Sequence, residues 1–123
     1  MVIGACVWLF GLVIEMVADA QVARFVARRA AGTEHQRMCT TGLWSISRHP
    51  NYLGEVIAWW GIGIVAAGAE LGWAALIGPA AITLLIRFVS GVPMLEAAWK
   101  DREGFDEWAA RTPVFLPLPR RRR

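Results

Sequence analysis

The chain has 123 residues, room for one small domain, and 56% of them are hydrophobic, with a mean hydropathy of +0.42 and seven Trp against one Tyr. That balance argues against an ordinary soluble globular domain and suits a membrane protein with tryptophan at its interfaces. The net charge of +3 is small, and its distribution says more than its size.

Val2–Val17 is apolar apart from Glu15 and runs on through Asp19 and Gln21 to Arg24, Arg28 and Arg29. It reads as a membrane helix that is retained, since it has neither the basic start nor the small-residue cleavage site of a signal peptide. Its apolar part is shorter than the roughly 20 residues of a full crossing. Residues 30–47 are polar, carry Gly32 and Gly42, and read as a loop. In it, Thr41-Gly42-Leu43-Trp44 reads as a turn with an interfacial Trp. Pro50 lacks an N–H and suits the first turn of a helix, so a helix is expected to start at His49 or Pro50.

Leu53–Ala69 and Trp73–Val89 are the second and third apolar segments, joined by a tight turn around Glu70. Gly61, Gly63 and Gly68 would let neighbouring helices approach closely in lipid. Pro79 is expected to kink the third segment, and Arg87 to reach toward the interface. Ser90-Gly91-Val92-Pro93 breaks the helix. Residues 94–111 then mix aromatic and charged residues and read as two short amphipathic helices separated near Gly104. The tail, 112–123, holds three prolines and four terminal arginines and reads as extended.

The thirteen basic residues lie at 24–48, at Arg87 and at 100–123, and none lies in the turn around Glu70. Three crossings place every one of them on the cytoplasmic side, as the positive-inside rule requires. The expected fold is therefore all-α: about three transmembrane helices and a cytoplasmic amphipathic C-terminal segment, in one membrane domain. Anionic lipid is a simpler partner for the basic ends than nucleic acid. The two cysteines, Cys6 and Cys39, sit in unlike surroundings and read as free thiols. His35 and His49 are too few for a histidine-rich metal site, and GxGxxG, Walker, HExxH and CxxC motifs are all absent from the sequence, which excludes a soluble dinucleotide-binding domain.

Chemistry concentrates in Ser47-Arg48-His49-Pro50-Asn51-Tyr52-Leu53-Gly54-Glu55. A guanidinium, an imidazole, an amide and a carboxylate meet there at the mouth of an apolar segment. Asn51 and Glu55 are one helical turn apart and share a face. Arg48 and His49 flank a helix N-terminus, which suits a phosphate or carboxylate. Residue types alone leave a bland reading equally open: Arg48 on lipid phosphate or paired with Glu55, and His49 solvated. Glu15 and Asp19, also one turn apart, are read first as ion-pair partners for Arg24, Arg28 or Arg48, and second as ligand contacts.

TGLWSISRHPNYLGE followed by WWG resembles the C-terminal block of bacterial steroid 5-alpha-reductase-like membrane proteins. Glu15, Asp19 and Gln21 upstream, and LLIRFVSGVPMLE and FDEWAARTPVFLPLP downstream, are similar to other segments of that family. The RHPxYxG core is shared more distantly with sterol reductases, which bind NADPH, and with isoprenylcysteine carboxyl methyltransferases, which bind S-adenosylmethionine. The resemblance implies a bacterial inner-membrane protein with an NADPH pocket opening to the cytosol. Asn51 and Glu55 would hold the nicotinamide end, Arg48 and His49 would lie along the pyrophosphate or ribose, and Tyr52 and Asp19 would lie nearby. Tyr52 stands where the steroid reductases often carry Phe, so no catalytic role is carried to it. Arg87, Glu96 and Arg111 match recurrent positions.

The implied function is reduction of a conjugated carbon–carbon double bond in a lipid-like or steroid-like substrate. The alternatives are an S-adenosylmethionine-dependent membrane methyltransferase and a non-catalytic membrane subunit. The resembled enzymes have further helices ahead of this segment that supply much of the substrate cavity. This chain is therefore expected to bind cofactor and to lack part of the catalytic site.

Overall fold

The computed structural model describes residues 2–69 and 72–115. The turn expected at Glu70 and most of the basic tail lie outside the described residues. Within them the chain is all-α: α1 (Val2–Ala30), α2 (Pro50–Ala67), α3 (Ile77–Leu84), α4 (Val92–Trp99) and α5 (Phe105–Arg111), with no strand among the described residues. A short 3-10 turn, Gly42–Ser45, punctuates the loop before α2.

Two helical stretches are long and apolar enough to cross a membrane by length and composition: Val2–Ala30 and Gly72–Trp99. Only 17% and 11% of their apolar windows are buried inside the chain. A core helix of a soluble protein would be mostly covered, so these faces need apolar surroundings that the described residues do not supply. The 29 residues of α1 reach about 43 Å, against a hydrocarbon core of about 30 Å. In a bilayer its last turns would project beyond the lipid tails and carry part of the polar end.

α1 and α2 pack antiparallel with their backbones almost touching. The buried positions of α1 are Gly4, Gly11, Ala18 and Phe25, one every seven residues. Gly54 and Gly61 of α2 face them at the same spacing. A Cβ at Gly11 would lie 2.4 Å from Ala58 N, one at Gly54 2.5 Å from Glu15 N, and one at Gly61 2.3 Å from Trp8 N. A seven-residue repeat keeps one seam in register along a left-handed pair, and small residues on that seam allow main-chain contact. Of the three glycines singled out in α2, Gly61 serves this seam. Gly63 faces Pro79 of α3 instead, and Gly68 packs against nothing outside its own helix end.

Pro79 falls in the first turn of α3, just after a 3-10 stretch, Gly72–Leu76, so the helix changes type next to the proline. A second irregularity follows. Leu85–Val89 is a π turn, closed by Ser90 N–H donating to Leu85 O at 2.8 Å. Ser90 and Gly91 then bend the chain, and α4 restarts at Val92. The two short helices expected after the break are α4 and α5, divided at Gly104 with φ of 87°.

The densest packing lies at the polar end. Ala18 and Phe25 of α1, Met38 and Cys39 of the loop, Trp44, and Phe105 and Trp108 of α5 form one core. The expectation of an interfacial Trp44 is corrected here: the ring is 3% exposed. Its Nε1–H donates to Ala18 O at 3.1 Å, and its carbonyl accepts from Trp108 Nε1 at 2.7 Å. Both indole N–H groups find partners inside, so burial costs them nothing in lost hydrogen bonds.

Candidate functional site

The site is built where the end of α1, the start of α2 and the α4–α5 corner converge. Antiparallel pairing sets Asp19 opposite Asn51, and both line a cavity of about 290 Å³. Its lining is rich in aromatic rings, with Trp44, Trp99 and Trp108, and includes Arg37 and Arg102, which also line two neighbouring clefts. Asn51 Oδ1 accepts from Tyr52 N–H at 3.0 Å, which leaves the amide NH2 to donate into the cavity. Gln21 does not line it. Its Oε1 accepts from Leu43 N–H at 3.0 Å and clasps the turn at Gly42.

Arg48 and His49 lie behind the wall. Arg48 Nη1 donates to Glu96 Oε1 at 2.6 Å, and Arg48 Nε donates to Thr112 O at 2.9 Å. The main chain joins in: Arg48 N–H donates to Pro113 O at 2.9 Å and His49 N–H to Val114 O at 3.2 Å. Ser47 Oγ donates to Val114 O at 3.1 Å. The motif thus holds the chain after α5 against the start of α2. The expected pairings of Arg48 with Glu55, or of Arg24, Arg28 or Arg48 with Glu15 and Asp19, do not form. Arg28 pairs with Glu34 at 3.7 Å, and Arg48 with Glu96.

His49 is 0% exposed, not solvated. Its ring stacks on Trp99 at 5.4 Å and 3°, and on Tyr52 at 5.6 Å and 12°. Its Nε2 lies 3.2 Å from Glu96 Oε1 without the alignment of a hydrogen bond, and both ring nitrogens are otherwise without partners among the described residues. Burial pulls its pKa below the ordinary value, the Glu96 carboxylate opposes that, and Arg48 and Arg87 add to it. The ring is therefore neutral at pH 7. Burial also pushes the Cys39 thiol up, so this cavity-wall cysteine stays protonated.

Of the six residues singled out in the sequence, Asp19 and Asn51 share the cavity. Tyr52 and His49 form the stack that backs Trp99, and Arg48 fastens the same wall through Glu96. Glu55 sits one turn further along α2, past Gly54 and within electrostatic reach of Glu15. Among the described residues no group of three or more His, Cys, Asp or Glu is placed to hold a metal ion.

A sequence profile described as "Protein of unknown function (DUF1295)" matches residues 1–112. The chain belongs to the DUF1295 family. DUF1295 is a membrane family related to steroid 5-alpha-reductase-like proteins. No curated protein and no solved structure matches the chain.

In this DUF1295 chain the residues missed from sequence are Arg37, Arg102 and the three tryptophans of the wall. Arg102 lies in a stretch of alternating charges and Arg37 in a polar loop, and no local spacing sets either apart. They meet only because α5 folds back onto the end of α1.

Proposed function

We propose that the chain is the cofactor-binding part of an NADPH-dependent membrane reductase acting on a conjugated carbon–carbon double bond of a lipid-like substrate. The observation that carries this reading is the cavity itself. It brings together an amide, a carboxylate, indole faces and two arginines, in a family related to steroid 5-alpha-reductase-like proteins. Flat aromatic walls suit a nicotinamide ring, Asn51 NH2 can donate to a carboxamide oxygen, and Asp19 can accept from its NH2. Arg37 and Arg102 suit a pyrophosphate, since a guanidinium pairs with phosphate through parallel N–H bonds.

When bound, NADPH supplies the hydride that goes to the β-carbon of the double bond, with a proton going to the α-carbon. The residues of this chain bind and orient it. Trp99, held from behind by His49 and Glu96, fixes one wall, and the tryptophan core keeps water from that side. Glu55, a turn deeper beside Glu15, lies on the membrane side of Asn51, where a lipid-like substrate would approach. In this reading the chain crosses the bilayer three times. The 18 residues of α2 span about 27 Å, and the basic residues at 24–48, Arg87 and those at 100–111 lie on the cytoplasmic side with the cavity.

The test is dinucleotide titration of detergent-purified protein, with S-adenosylmethionine in parallel. NADPH is expected to bind, and Asn51→Ala and Asp19→Ala each to weaken it about tenfold, the worth of one good hydrogen bond. Binding of S-adenosylmethionine with no response to NADPH would move the chain to the methyltransferases.

A further inference from the structure

Two clefts share lining residues with the cavity, and charge distinguishes them. Arg37 and Arg102 line the cavity and also both outer clefts, so they border all three. One cleft, about 590 Å³, is lined by Asp101, Glu103, Asp106 and Glu107 as well as by basic residues. The other, about 570 Å³, runs along the end of α1 over Phe25 and Val26, and its charged residues are Arg29, Arg37 and Arg102 alone. Arg29 Nη1 donates to Gln36 O, which steadies the guanidinium and leaves its other N–H groups free for a ligand. None of the three arginines has a carboxylate within 4.0 Å among the described residues.

Three guanidiniums with no carboxylate in ion-pair range among the described residues, beside an apolar floor, make a place for an anion attached to a flat group. At about 290 Å³, the cavity sits at the small end of ligand sites, which run from about 300 to 1,000 Å³. It therefore takes one end of a dinucleotide and leaves the rest to pass between Arg37 and Arg102. Beyond them, the acidic cleft repels a phosphate monoester and the arginine cleft attracts it.

We propose that the cleft over Phe25 and Val26 receives the 2′-phosphorylated adenosine end of the dinucleotide, with Arg29 as the residue that distinguishes NADPH from NADH. This rests on the reading that the cavity takes the nicotinamide end. Arg37, which borders all three, contacts the part common to both dinucleotides, so the two arginines have separable effects. A phospholipid headgroup offers the same phosphate chemistry at this depth, and the test distinguishes that source.

The experiment is calorimetric titration of the purified full chain with NADPH, NADH, 2′-AMP and 5′-AMP, for the wild type, Arg29→Gln and Arg37→Gln. NADPH is expected to bind at least tenfold tighter than NADH, and 2′-AMP tighter than 5′-AMP. Arg29→Gln should abolish both preferences while leaving NADH affinity unchanged, and that unchanged affinity also shows that the variant folds. Arg37→Gln should weaken both dinucleotides. NADPH binding with its preference intact in Arg29→Gln overturns the assignment and leaves the cavity reading standing. Loss of NADPH binding in nanodiscs containing phosphatidylglycerol, but not in those of phosphatidylcholine, gives the cleft to lipid and also overturns it. If neither dinucleotide binds any form, the cavity reading fails and takes this inference with it.

Discussion

Tyr52 from α2, Trp99 and Glu96 from α4, Arg87 from the π turn and the adjoining Arg48 surround the His49 ring and set its charge. Burial is the largest influence and holds its pKa below the ordinary 6.5. Between the folded value and 6.5 the unfolded chain binds more protons than the folded one. The contribution of the neutral ring is therefore complete above about pH 6.5 and is lost as pH falls through 6.5 toward the folded value. A melting temperature followed from pH 8 to pH 5 in detergent should fall over that window, and His49→Gln should flatten the fall. A profile equally steep in the variant would place the titrating group elsewhere. The sequence shows that His49 borders a helix, and the structure agrees, with Pro50 as the first residue of α2. It does not show Glu96, because a partner 47 positions away depends on α4 folding back, which no local spacing records.

At the scale of the element, the α1–α2 seam shows why some contacts are hard to read. Its key feature is side chains that are missing. Gly4, Gly11 and Ala18 look unremarkable in an apolar stretch, yet their seven-residue repeat matches Gly54 and Gly61 on the facing helix. Helix ends, by contrast, are written locally: Pro50 at a start, Gly91 at a bend, Gly104 before α5. The π turn at Leu85–Val89 has no such mark and follows from how Ser90 closes the turn. The seam predicts opposite signs for one kind of substitution. Alanine favours an exposed helix position over glycine by about 1 kcal/mol. At Gly78, which has no neighbour within 4 Å, Gly78→Ala should stabilise by roughly 0.5–1 kcal/mol. At Gly11 the new Cβ would meet main-chain atoms at 2.4 and 2.5 Å, which cannot swing away as a side chain can. Gly11→Ala must part the helices and should destabilise by about 1–3 kcal/mol, the usual cost of overpacking. Thermal or denaturant unfolding of the two variants in one detergent checks both signs.

Across the whole molecule, the chain closes on itself at the polar end. The residues after α5 return to the start of α2, 64 to 67 positions earlier, and are bound there by Ser47, Arg48 and His49. That return does two things at once. It keeps Trp108 pressed into the core with Trp44, and through Glu96 and the His49 stack it steadies the Trp99 side of the cavity. Two truncations separate this role from any role of the arginine tail. A chain ending at Phe115 keeps the acceptors Thr112 O, Pro113 O and Val114 O, and a chain ending at Arg111 loses all of them. The four hydrogen bonds that differ are worth about 0.5–1.5 kcal/mol each, and more where a charged guanidinium donates. The shorter chain should therefore unfold at least 2 kcal/mol more easily than the longer one. It should also expose Cys39, now a buried thiol in the cavity wall, so that Cys39 alkylates faster at a fixed pH. Equal stability and equal alkylation in the two chains would mean that the return segment rests on the cap without holding it. In that case Trp99 would have to be fixed by the tryptophan core alone.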